Sequence, residues 1–407
     1  MTQDPRLLSI ADYQYDLPPE KIAETPLPVR HESKLLCYQN GIIGDYQYLE
    51  LASLLPSNSF LVFNETKVIP ARLLFEKDTG GTIEIFCLQP GSAQRDMCEA
   101  LQLTTQATLQ CLVGGASKWK PGVPLIKEVG ELRLQASVRQ KEHDHFLIDL
   151  SWTPQELTLS SVFELAGATP LPPYIKRPLS KNDSAAYQTV YAKKEGSVAA
   201  PTAGLHFTEE LLSRLQDNKI ESDFLTLHVG AGTFKPVKAA IMQDHAMHAE
   251  WIDVKLSFLK NWQRQLDHPL VAVGTTSLRT LESLYWLGLK LMKEDHAAPP
   301  PLSQWEWYTL QKETVPLKKV LSTLIAWMED KKLDQFVTQT SLLVTPGYPF
   351  QVVNALLTNF HQPRSTLLLL IAALVKEDWR KIYQHALDSQ YRFLSFGDGS
   401  LLWRNDQ

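Results

Sequence analysis

Four stretches of the chain gather side chains able to hold and activate a small molecule: residues 196–208 (GSVAAPTAGLHFT), 227–237 (LHVGAGTFKPV), 274–283 (GTTSLRTLES) and 356–370 (LLTNFHQPRSTLLLL). They offer His206, His228 and His361 as proton carriers or hydrogen-bond partners. Thr202, Thr233, Thr275, Thr276 and Ser277 supply hydroxyls, Asn359 an amide and Arg279 a fixed cation. Gly230 and Gly232 are points where a ligand can approach the backbone. HAMHAE adds His245, His248 and Glu250, and YRFLSFGDG near the C-terminus adds Asp398. Such polar groups need partners wherever they are buried. Scattered along the chain, they fit one pocket assembled from distant segments, the common construction of an α/β enzyme site.

Each group also has a plainer explanation. GTTSLRTLES follows an apolar β-run and opens a helix, whose first N–H groups favour an anion. A carboxylate or phosphate site and a capped strand–helix junction with Arg279 in a surface pair are about even on this pattern. The first alternative predicts that Arg279→Ala impairs turnover with little loss of stability. LHVGAGTF carries G-x-G without the rest of the dinucleotide fingerprint, and the chain has no G-x-x-x-x-G-K-[ST] loop, so a tight turn accounts for its glycines. HAMHAE lacks the H-E-x-x-H spacing and has no fourth ligand near in sequence. Hydrogen bonding therefore outranks zinc there, and no metal is expected. Lone histidines in apolar frames, such as His206 and His228, are more often satisfied core residues than catalysts. In TNFHQPRST, capping explains Ser365 but not Asn359 beside His361. Asp398 between two glycines is more often a turn residue than a pocket carboxylate.

The elements that must carry these groups are readable in outline. At 407 residues the chain has room for two domains. It has no apolar run long enough to span a bilayer, and the longest, residues 367–375, reads as a buried helix. The opening residues hold no hydrophobic signal core, so a cytosolic, non-membrane protein is expected. Cys37, Cys87, Cys98 and Cys111 form no Cys-x-x-Cys pair and read as buried free thiols. A net charge of −5 argues against broad electrostatic binding to nucleic acid and for local, selective contact. Residues 58–66 read as a buried strand meeting a turn. Residues 71–152 hold short alternating segments punctuated by Gly and Pro, the pattern of a small β-barrel. From 160 onward strands and helices alternate, with Thr208 and Ser365 as helix caps and both 352–360 and 365–375 helical by propensity. The expected fold class is α/β: a mixed α/β main domain (1–69 and 153–407) with an inserted small β-barrel domain (70–152) and a peripheral insertion at 287–335.

Taken together and in order, the motifs resemble the S-adenosylmethionine:tRNA ribosyltransferase-isomerase family of queuosine biosynthesis. The resemblance runs nearly end to end: residues 12–36, LVFNETKVIPARL (61–73), PLPPYIKRP (170–178), residues 187–208, LHVGAGTFKPV, MHAEW (247–251), AVGTTSLRTLES, residues 345–370 and YRFLSFGDG. The chain departs from the commoner pattern in a longer 287–335 segment, in TQTSLLVTPGY and in SFGDGS. The resemblance implies an α/β domain with an inserted β-barrel. It implies an enzyme that uses S-adenosyl-L-methionine as ribosyl donor and acts on a tRNA anticodon bearing 7-aminomethyl-7-deazaguanine, giving epoxyqueuosine with release of adenine and methionine. Such chemistry needs a base, drawn from His206, His228 and His248 with Glu250 behind them. It also needs donors for adenine and a clamp for a carboxylate, with Arg279, Thr275 and Thr276 as candidates. A tRNA-binding protein without catalysis and a methyltransferase are the competing readings. The set of His206, His228, Arg279, Asn359 and His361 weighs against the first, and the lack of an early glycine loop against the second.

Overall fold

The computed structural model describes residues 4–77, 80–91, 94, 96–120, 122–143, 145–230, 237–313 and 315–405. Gly232 and Thr233 lie outside them. The strand Phe60–Asn64 is buried at every position, as are Leu270–Val273 and Ala355–Asn359. Continuous apolar strands of this kind belong in a sheet covered on both faces. Among the described residues they form the middle of a nine-stranded sheet. Its order is Gln335–Thr340, Glu250–Lys255, Glu221–Leu227, Phe60–Asn64, Leu270–Val273, Ala355–Asn359, Gly399–Trp403, Lys34–Gln39 and Ile42–Gln47. Strands three to six of that order run parallel. Antiparallel partners flank them on both sides.

Alternation divides the core. Phe60, Val62, Ala272 and Leu356 face a large cluster with Trp286, Leu281 and Leu369, whereas Leu61, Phe63, Val273 and Leu357 face Ala203, Phe207, Leu211 and Leu215. This explains why residues 352–360, helical by propensity, yield a strand. Ala355 to Asn359 fill a slot beside Leu270–Val273 in which both faces are already apolar, and tertiary packing overrides propensity. The helix after it begins where expected: Ser365 caps Thr366–Val375, its Oγ accepting from the Leu368 N–H at 3.1 Å. Thr208 likewise caps Glu209–Asp217.

The second sheet has seven antiparallel strands among the described residues: Gly167–Ala168, Arg72–Glu76, Thr82–Pro90, Gln106–Gly114, Phe146–Thr153, Leu132–Lys141 and Leu125–Val129. It curls around its own core of Leu73, Ile85, Leu109, Leu134 and Ile148. The curl is that of a half-barrel. No ladder joins Leu125–Val129 to Arg72–Glu76 among the described residues, and the Lys127 ammonium bridges the gap to the Leu74 carbonyl at 3.0 Å.

Residues 287–335 are built into the main core instead of standing outside it. Trp307, Val320, Leu321, Leu324 and Met328 are fully buried there. The helix Leu317–Asp330 crosses Thr275–Lys293 at Gly288, where an added Cβ would come within 2.4 Å of Val320. Among the described residues no helix is long and apolar enough to cross a membrane.

Candidate active site

The four parallel strands end at the same edge of the sheet, and three of the four polar runs lie at those ends. His228 and Gly230 come after Glu221–Leu227, Gly274 and Thr275 after Leu270–Val273, and His361 just after Ala355–Asn359. Ligands in open α/β sheets bind outside the carboxyl ends of the strands. Two cavities open here and share Leu367 as a wall. One is narrow, ≈ 80 Å³, and the other wide, ≈ 830 Å³.

The narrow cavity is lined by Thr202, Thr275, Thr276, Asn359 and His361. Gly274, at φ +90°, makes the turn into the helix Thr275–Lys293, whose first turn has no side-chain cap. Its leading N–H groups are therefore open to a ligand. Ser277 does not take part, because its hydroxyl is buried and donates to the Val273 carbonyl at 2.9 Å. Asn359 accepts from the Thr202 hydroxyl at 2.7 Å and approaches His206 Nε2 through Nδ2 at 3.3 Å. With the amide donating, Nε2 of His206 accepts. His206 stacks on Tyr48 at 4.1 Å, and burial pushes its pKa down to about 3, helped by the Arg392 charge. It stands behind Asn359 and does not line the cavity. His361 does. Its Nε2 meets the Thr358 hydroxyl at 3.0 Å, Tyr15 donates to its carbonyl, and burial pushes its pKa to about 3.

The wide cavity holds Glu250, Arg279, His245 and His248, with Gly230 at its edge. Arg279 lies in the second turn of its helix, so it faces this cavity and not the hydroxyls of Thr275 and Thr276. It is no surface residue, being 7% exposed. Nη1 donates to Glu250, and Nε donates to the Leu342 carbonyl at 3.1 Å. Glu250, 6% exposed, also accepts from the Gly230 N–H at 3.2 Å. The expectation that Arg279→Ala costs little stability does not fit this burial, because its removal would strand a buried carboxylate. His248 is exposed on the cavity wall. His245 is half-buried, and burial together with His248 lowers its pKa.

Two candidates fall elsewhere. His228 packs between the sheets: Nδ1 lies 3.0 Å from the Thr66 hydroxyl and Nε2 3.2 Å from Cys98 Sγ, and burial pushes its pKa to about 4. Gly196, at φ +139°, leaves room for that ring, since a Cβ there would come within 2.9 Å of Nδ1. Asp398 is a buried turn carboxylate. It accepts from the backbone N–H groups of Lys34 at 3.1 Å and Arg392 at 2.8 Å, and borders neither cavity. Sequence reasoning missed Asn64, whose amide donates to the Leu227 carbonyl at 3.0 Å and approaches Thr276 Oγ1 at 3.3 Å. An Asn closing a fully apolar strand was the available signal. It also missed Tyr174 and Ser395, which pair at the cavity wall and carry no local pattern. Among the described residues no group of three or more His, Cys, Asp or Glu side chains is arranged to hold a metal ion.

A mixed nine-stranded sheet, a half-barrel inserted in its sequence, and two adjoining cavities at the ends of its parallel strands define a two-sheet α/β protein with a candidate site at the strand termini. The chain matches the family model described as "Queuosine biosynthesis protein" over residues 10–402, and it belongs to that family. It is 36% identical over 399 residues to the S-adenosylmethionine:tRNA ribosyltransferase-isomerase of Thermosynechococcus vestitus, covering 97% of this chain and 96% of that one. It is 36% identical to the enzyme of the same name from Paraburkholderia xenovorans (98% and 100% covered) and 37% identical to that of Legionella pneumophila (96% and 98%). The crystal structure of the S-adenosylmethionine tRNA ribosyltransferase of Thermotoga maritima aligns over 96% of this chain and 99% of that one, at 26% identity and a TM-score of 0.46.

Proposed function

We propose that this protein is an S-adenosylmethionine:tRNA ribosyltransferase-isomerase that transfers and rearranges the ribosyl unit of S-adenosylmethionine onto 7-aminomethyl-7-deazaguanine at the wobble position of a tRNA. Epoxyqueuosine-tRNA forms, and adenine and methionine leave. The observation that carries the reading is the meeting of the separate polar runs at one edge of the sheet, around two adjoining cavities.

The sulfonium acidifies the neighbouring ribose 5′ carbon, so a base can remove a proton there. His206 and His361 have fixed hydrogen-bond partners and pKa values pushed to about 3, and His228 to about 4, so all three are weak bases near neutral pH. His248, exposed on the wide cavity, is the base this reading favours. Thr275, Thr276 and the N–H groups of their helix turn supply donors for negative charge on departing adenine. Thr202 and Asn359, held in place by His206, shape the narrow cavity from the other side. The sulfonium leaving group supplies the activation, so no metal has a role. The half-barrel serves as an inserted domain that closes part of the wide cavity through Leu112 and His143.

The test is product analysis on a tRNA carrying the modified base, with ribose-labelled S-adenosylmethionine. The expected result is gain of the labelled ribosyl unit with release of adenine and methionine. Gain of one methyl group, or tRNA binding without any product, refutes it.

A further inference from the structure

We propose that the wide cavity contains a subsite for an α-amino-acid carboxylate, made by the Nη2 group of Arg279 and aimed by Glu250. The inference rests on the ribosyl-donor reading above and deepens it by assigning the methionine end of S-adenosylmethionine to a definite group.

The guanidinium has three nitrogens, and two are committed. Nη1 is held by Glu250, and Nε by the Leu342 carbonyl at 3.1 Å. Nη2 is buried and has no hydrogen-bond partner among the described residues, on a side chain that lines the cavity. Leaving a buried donor unmade is unfavourable, more so on a charged group. A planar fork clamped at two corners has lost its rotational freedom before a ligand arrives, so its unpartnered corner is pre-organised for a carboxylate oxygen. Glu250 is itself fixed by the Gly230 N–H at 3.2 Å, which makes it a stiff support. It acts through Arg279 and is a positioning residue.

The surroundings match a methionine tail better than an RNA phosphate. Leu343, Val344 and Leu370 give the cavity an apolar wall suited to a thioether-like chain. Asp244 stands exposed at the same cavity, within the set of groups available to an α-ammonium. Lys238, the lysine of this lining, is exposed, whereas Arg279 is buried.

The decisive experiment compares binding of S-adenosylmethionine with binding of its decarboxylated analogue by titration calorimetry. It uses the wild-type protein, Arg279→Lys and Glu250→Gln, with tRNA affinity measured in parallel. Wild type should bind the decarboxylated analogue ~10–100-fold more weakly, the range of one charge-assisted hydrogen bond in a buried site. Both variants should shrink that ratio to a few-fold while tRNA affinity holds, a change that general loosening of the fold would not produce. Wild type binding both compounds within twofold, yet still releasing adenine, overturns the subsite and leaves the enzyme reading intact. A loss of tRNA affinity in Arg279→Lys with the ratio unchanged overturns it in favour of a phosphate contact. Wild type that neither binds S-adenosylmethionine nor releases adenine refutes the parent reading, and the subsite with it.

Discussion

Replacing Arg279 by alanine removes the guanidinium that neutralises Glu250, a carboxylate only 6% exposed. Among the described residues, what remains to Glu250 is the N–H of Gly230 at 3.2 Å, and the Leu342 carbonyl loses the Arg279 donor as well. Breaking a buried pair from one side costs about 3–5 kcal/mol. A chain of 407 residues has an unfolding entropy of roughly 0.85 kcal/mol per kelvin at about 2.1 cal/mol/K per residue. The expected drop in Tm is therefore about 4–6 °C. Adding Glu250→Gln to Arg279→Ala replaces the stranded charge by a neutral amide, whose burial costs ~1–3 kcal/mol instead, and should restore ~2 °C or more. The assay is a set of thermal melts on wild type, each single variant and the double variant, read as a double-mutant cycle. Arg279→Ala melting within 1 °C of wild type, or a double variant no more stable than the single, would refute the buried-pair argument and return Arg279 to the surface.

Three further outcomes follow from the same geometry. Asn359→Asp replaces the donor facing His206 Nε2 by an acceptor, so turnover should fall at least ~10-fold, the weight of one buried hydrogen bond made repulsive; unchanged kcat would remove Asn359 from the site. His206 and His361 have folded pKa values of about 3 against ~6.5 for free histidine, so between those values the unfolded chain binds more protons than the folded one. Stability is then fully present above pH ~6.5 and is lost as pH falls toward 3; a urea midpoint that stays level or rises from pH 7 to 5 would contradict this, and His361→Gln should flatten the decline. Prolonged chelator treatment should leave turnover within about twofold of the untreated enzyme, since the sulfonium supplies the activation; a loss restored by zinc would overturn the metal-free reading.

How much of this was legible in the sequence depends on the range over which each feature is determined. The cap at Ser365, the buried strand Phe60–Asn64 and the turn-punctuated strands of the half-barrel are local features, and local composition reveals them. The pairing of Arg279 with Glu250 spans 29 positions, and the approach of Asn359 to His206 spans 153. Nothing in either neighbourhood encodes its partner. The strand Ala355–Asn359 was obscured because its helical propensity is real and yields only to the sheet on either side.

The polar runs mix two kinds of constraint that sequence cannot separate. In TAGLHFT, Thr202 reaches the narrow cavity, yet Gly204 is there because a Cβ would fall 1.9 Å from the Tyr191 hydroxyl, and His206 stands behind Asn359 as support. In LHVGAGT, His228 faces Thr66 and Cys98, while Gly230, two residues on, braces Glu250. Neighbours in a single run thus serve different surroundings. A motif of this sort marks where a site is built, and only the direction of each side chain decides which residues touch the ligand and which hold the others in place. That division has a measurable consequence. Removing a supporting residue such as His206 should depress stability and rate together, whereas changing a cavity hydroxyl such as Thr275 should lower the rate while leaving the melt unchanged.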